Sequence, residues 1–181
     1  VSLMQFDDKP RGAVQFDDKP RGAVQFNVAC DPQGAHAVLK GLTCPIYLMP
    51  TEVTRVKEIG FETAQKLREA FPENAGTRAL YHLYALWYDA AVRPRQAKDP
   101  NEMIFIHDVV AALSLSEELR KAIYNVVPVE ITAVPFLASE QDDWGKVHMK
   151  QTTAPTNIYA ATSLTEGGAA KYLETLKALF A

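Results

Sequence analysis

Apolar and polar residues along this chain switch repeatedly between a period near two and a period near three and a half. Asp31 offers a capping oxygen, Pro32 suits a first helical turn, and Ala35, Val38 and Leu39 carry the pattern to a stop at Gly41. Ile46, Tyr47, Leu48 and Met49, bounded by Pro45 and Pro50, read as a short strand, with Thr51, Glu52, Val53 and Thr54 at its carboxyl end. Phe61, Ala64, Leu67 and Phe71 face away from Lys66, Arg68 and Glu69, which predicts an amphipathic helix that Pro72 and Gly76 end. Residues 78–92 form a helix rich in aromatics, where Tyr81, Tyr84, Trp87 and Tyr88 make a stripe. A stripe at helical spacing belongs in a core or an interface, with stacking on a ligand as the alternative.

Past a polar, proline-bounded loop at 94–100, the apolar run 103–106 reads as a strand that delivers His107 and Asp108 side by side. Val109, Val110, Leu113 and Leu115 then mark the inner face of a helix. The carboxyl end of a strand that opens a helix is where an α/β sheet places its chemistry. The plainer alternative is a capping Asp beside a half-buried His. Ser116, with Glu117 and Glu118, opens a short helix to about Ala122. Residues 126–134, interrupted by Pro128, suit a strand near a sheet edge. A turn at 141–145 and short strands at 146–150 and 157–161 follow. Ser163 to Glu166 matches a capping box ahead of a last helix through Ala170, Leu173, Leu176 and Phe180. The alternation predicts an α/β fold with a mixed, largely parallel sheet and flanking helices.

The amino terminus departs from this pattern. Residues 5–14 are repeated without change as residues 15–24, and a third copy begins at Gln25-Phe26 before diverging at Asn27. Ten residues is too short for a solenoid unit. The Asp-Asp pairs at 7–8 and 17–18 are each followed by Lys-Pro-Arg, which favours a solvated turn over a cation site. Residues 1–24 are therefore expected to form a surface segment, and residues 25–181 the folded half-domain.

Composition narrows the class. The chain has 181 residues, is 48% apolar, and carries a formal charge of −3, with no basic run to engage nucleic acid. No apolar stretch approaches the about 18–20 residues of a membrane span, and no secretory signal is present. Cys30 and Cys44 suit neither a metal spacing nor a disulfide framework, so reduced thiols and a cytoplasmic setting are expected. The chain opens on Val1 and reads as a fragment or a processed piece. No glycine-rich phosphate loop follows any strand, which argues against a nucleotide-binding Rossmann module.

Three stretches carry a resemblance. Gln25-Phe26-Asn27 with Asp31-Pro32-Gln33-Gly34-Ala35 resembles the Glu-Phe-Asn…Asp-Pro-Glu-Ala-Ala stretch of the inosine–uridine-preferring nucleoside hydrolases. The run from Pro45 to Thr54 is similar to that family's next strand, ending Leu-Asp-Val-Thr, and His107-Asp108-Val109-Val110-Ala111 resembles its His-Asp-Pro-Leu-Ala helix start. The resemblance covers residues 22–181, as the carboxyl-terminal half of a family member.

It implies an incomplete nucleoside-hydrolase-like fold and calcium-assisted hydrolysis of the N-glycosidic bond of ribonucleosides. Such a reaction passes through an oxocarbenium-like state, so a site must hold the ribose hydroxyls, stabilise ring charge and deliver water. By the same resemblance, Asp108 is a calcium ligand and His107 a proton donor near the leaving base. Asn27 bonds the ribose, and Gln25 keeps an acceptor where the family has Glu. Tyr84 or Tyr88 approaches the base. The family's first calcium motif, Asp-Thr-Asp-Pro-Gly-x-Asp-Asp, is absent, and one carboxylate does not satisfy calcium. The chain alone is expected to be inactive, with the missing carboxylates supplied by another segment, on the same precursor or on a partner chain, and a homo-oligomer or a complementary chain is the expected partner. The alternative is a non-catalytic structural or assembly subunit.

Overall fold

A computed structural model describes residues 14–16, 26–54, 60–92, 107–133 and 147–181. The described strands run in the order β1-β4-β3-β5-β2. They are β1 (Val14–Phe16), β2 (Ile46–Leu48), β3 (Tyr124–Ala133), β4 (Val147–Gln151) and β5 (Ile158–Leu164). β1 pairs with β4 in parallel, Val14 opposite Val147, and β3 pairs with β4 antiparallel, Val129 opposite Gln151. The sheet is mixed, and with its flanking helices the fold is α/β.

The chain divides into two compact units, residues 1–46 with 128–159 and residues 47–127 with 160–181. In the first, α1 (Phe26–Cys30) leads into α2 (Pro32–Gly41). Asp31 Oδ1 accepts from the Gly34 amide at 2.9 Å, the cap that the sequence predicts. Lys40 Nζ donates to the Ile131 carbonyl at 2.5 Å, and Asn157 Nδ2 bridges the Leu42 and Cys44 carbonyls at 2.7 and 2.8 Å. The Lys40 bond ties the last turn of α2 to β3, and the Asn157 bonds occupy carbonyls just past the helix end.

The second unit holds α3 (Thr51–Thr54), α4 (Phe61–Ala70), α5 (Ala75–Trp87), α6 (His107–Leu113), α7 (Glu117–Ile123) and α8 (Gly168–Phe180). Val53, Leu67, Val110, Ile123, Tyr124, Ala161, Tyr172 and Leu176 form one buried cluster. Asn74 caps α5, its Oδ1 accepting from the Gly76 and Thr77 amides. Its Nδ2 donates to the Phe180 carbonyl at 3.1 Å and ties the start of α5 to the end of α8. Ser116 Oγ caps α7 through the Leu119 amide, as its sequence predicts.

Val14–Phe16, inside the repeat, forms an edge strand, because Val and Phe at alternate positions suit a ladder even within a turn-rich decapeptide. Three expectations are corrected. β3 with its Pro128 sits in the middle of the strand order, not at an edge. Its register with β4 starts at Val129, one residue past the ring that has no N–H to give. Ser163 does not cap α8: β5 continues through Leu164, and Ser163 Oγ accepts from Asn125 Nδ2 at 2.9 Å. α8 starts instead after Gly167, at φ 80°, a left-handed conformation that favours glycine. Leu115 is 82% exposed, because α6 ends at Leu113 and the residues after it turn away from the inner face.

The apolar run at 103–106, the loop at 94–100 and the turn at 141–145 lie outside the described residues. Among the described residues, no helix is long and apolar enough to cross a membrane.

Candidate functional site

Two short helices of the second unit bring together residues far apart in sequence. After β2, the carbonyl of Pro50 accepts from the amides of Val53 and Thr54 at 3.0 and 3.1 Å, and folds 51–54 into a single turn. Val53 and Val110 are both fully buried in the same cluster, which packs α3 against α6. This packing presents Thr54, only 3% exposed, to the first residue of α6. His107 Nδ1 lies 2.6 Å from Thr54 Oγ1, a short hydrogen bond. His107 is otherwise exposed, and Asp108 beside it is exposed in the first turn of α6. A carboxylate there is favoured by the free amides of the helix start.

The aromatic helix divides in two. Tyr84 and Tyr88 are half-buried, Tyr88 opening a π-helical turn, Tyr88–Val92, that continues α5. Trp87 is 54% exposed, so the core reading of the stripe does not hold for it. Burial pushes the Tyr84 phenol up to about 12. Burial also raises the Tyr124 and Tyr172 phenols, and Tyr172 is raised further by its neighbours Tyr124 and Tyr84. Three tyrosines therefore meet inside the second unit. Tyr124 Oη donates to the Val110 carbonyl at 3.3 Å, while Tyr172 Oη, fully buried, has no hydrogen-bond partner among the described residues.

Asn27 is exposed on α1, in the first unit, and Gln25 lies outside the described residues. Cys30 and Cys44 are free and exposed. Thr54 is the residue that sequence reasoning passed over as a participant. Its only signal was its place at the end of the second resembling stretch, because the contact with His107 spans 53 positions.

Among the described residues, no group of three or more His, Cys, Asp or Glu could hold a metal. Asp108 supplies at most two of the about six to eight oxygens that calcium takes. The described residues do not fit a calcium ion by themselves, and no chemical step here is assigned to one. What the arrangement offers chemically is an imidazole hydrogen-bonded through Nδ1, next to a solvent-facing carboxylate.

Comparison with known proteins adds one finding. A family model described as inosine-uridine preferring nucleoside hydrolase matches residues 12–170. The match takes in most of the chain and begins inside the repeat, ahead of residue 22, where the resembling stretches begin. No curated protein matches the chain.

Proposed function

The chain belongs to the inosine-uridine preferring nucleoside hydrolase family, and on that premise we propose that it serves hydrolysis of the N-glycosidic bond of ribonucleosides. The observation that carries this reading is the family match across residues 12–170, which takes in all three resembling stretches, joined to the short bond that holds His107. In this reading His107 protonates the leaving base as the glycosidic bond breaks. Asn27 and Gln25 hold the ribose hydroxyls, so that binding energy is spent in orienting the sugar for attack by water. Tyr88, and less readily the inward-placed Tyr84, flanks the base. Proton donation from a positioned group contributes typically about 10²–10⁴ in rate.

Asp108 would be one ligand of a calcium ion only if another segment, on a complementary chain, brought the missing carboxylates, and calcium would then supply ribose binding and water activation. The 181-residue chain by itself lacks the set and is inactive. The setting is cytoplasmic.

A second reading, a structural or assembly subunit without catalysis, is favoured by Gln25 in place of the family's Glu. A release assay for free base from inosine and uridine separates the two. The chain is mixed with a family member's amino-terminal segment that carries the Asp-rich motif. Base released by the mixture, and lost in His107→Ala, supports the enzyme. No release from a mixture shown by sedimentation to be assembled supports the structural subunit.

A further inference from the structure

We propose that Thr54 is the positioning residue for His107, fixing the orientation and the tautomer of its ring through the Oγ1–Nδ1 hydrogen bond. The assignment deepens the proposed function, because it matters for chemistry only if His107 is the proton donor. The geometry itself stands without that reading.

Three observations support it. The bond is 2.6 Å, at the short end for a side-chain pair. Its threonine partner is 3% exposed, on a turn pinned by two bonds to the Pro50 carbonyl, so the oxygen is itself a fixed point. The histidine sits at the first position of α6, where its backbone is anchored by the fully buried Val110 one turn later. An exposed histidine at a helix start ordinarily samples several rotamers and both neutral tautomers. A bond from Nδ1 to a buried, backbone-fixed hydroxyl removes that freedom. It makes the two ring nitrogens inequivalent, and a hydroxyl held to one role in that bond, donor or acceptor, holds the ring to one tautomer, so that Nε2 presents the same face. Threonine suits the task, because its branched Cβ restricts χ1 and leaves the hydroxyl little choice of direction.

The test uses the whole 181-residue chain and needs no activity. Long-range ¹H–¹⁵N correlation spectra at about pH 8, where an ordinary imidazole is neutral, report the tautomer of His107, assigned by loss of its signals in His107→Gln. Wild type is expected to show two widely separated ring ¹⁵N shifts, the mark of one tautomer. Thr54→Val keeps the shape and removes the hydroxyl. It is expected to collapse the two shifts toward the average of an unconstrained imidazole, and Thr54→Ser to restore them. Averaged shifts in wild type, or shifts unchanged in Thr54→Val, overturn the proposal. If the valine variant does not fold, Thr54→Ala, which also removes the hydroxyl, decides by the same two outcomes. Absence of base release from the chain assembled with the family's Asp-rich segment, with a single His107 tautomer, counts against the hydrolase reading alone. Averaged shifts in a preparation that does release base count against Thr54 alone.

Discussion

Gly168 has little room for a side chain. It is buried at the start of α8, and a Cβ there would run into the Ile123 carbonyl oxygen, with Thr165 Oγ1 at 2.9 Å. Thr165 Oγ1 in turn donates to the Ala122 carbonyl at 2.6 Å, so the junction of α7, β5 and α8 closes around a missing side chain. Gly168→Ala is expected to cost roughly 1–3 kcal/mol, read as a lower denaturant midpoint at unchanged slope. A midpoint equal to wild type would show that the junction can open at no cost. Tyr172 presents the opposite case. Its buried hydroxyl lacks a partner among the described residues, and such a group typically costs about 1–3 kcal/mol. Tyr172→Phe should therefore leave the midpoint unchanged or raise it, and a clear fall would reveal a bond to that oxygen. The same cluster sets an alkaline limit. A phenol whose folded value is raised keeps its full stabilisation below the ordinary tyrosine value of about 10. That stabilisation is lost as pH climbs through the folded value, about 12 for Tyr84. Unfolding free energy is predicted to be level up to about pH 10 and to fall above it, with a shallower fall in Tyr172→Phe.

Among elements, legibility tracked how local the deciding interactions are. The cap of α2 by Asp31 spans three positions, and the cap of α7 by Ser116 also spans three. Both could be read from neighbouring letters. Ser163 carried an equally good capping pattern, but its oxygen is taken by Asn125, 38 positions away, and the strand runs on. Pro128 read as an edge signal because the chain does not announce which ladder begins one residue later. The pairing of α3 with α6, which makes the site, rests on Val53 and Val110 meeting in the core, and no local pattern predicts that. The repeat gives a prediction of its own. Val14-Gln15-Phe16 recurs as Val24-Gln25-Phe26, yet the first copy is the strand β1 and Phe26 opens the helix α1. Deleting residues 15–24 joins Val14 to Gln25-Phe26 and keeps a Val-Gln-Phe segment that runs into the first residue of α1. A melting temperature shifted by only a few degrees is expected, about what 1 kcal/mol gives in a domain of this size. Loss of folding would show that both copies are structural.

For the whole molecule, exposed apolar side chains bear on assembly. Leu83, Leu86 and Trp87 are exposed along α5, and Leu179 is exposed on α8. Apolar side chains grouped in this way mark interaction surfaces more often than scattered ones do. The chain is predicted to associate at micromolar concentration, and a single monomeric boundary in sedimentation velocity would contradict this. Association alone does not complete a metal site, since the described carboxylate beside His107 is Asp108 and calcium needs several more oxygens. The most direct test of the account is thermal melting of wild type and Asp108→Ala, each with calcium and with chelator, beside base release from inosine and uridine. For the 181-residue chain alone, the account predicts no calcium shift and no free base, and at most about 0.3–1 kcal/mol of helix-start stability lost in the mutant, since Asp108 lies within the first turn of α6 and not at its cap. With the family's Asp-rich segment added, calcium should stabilise the assembly and base should be released, and both effects should vanish in Asp108→Ala. Calcium stabilisation or base release by the isolated chain, or release by the mixture that survives loss of Asp108, would contradict it.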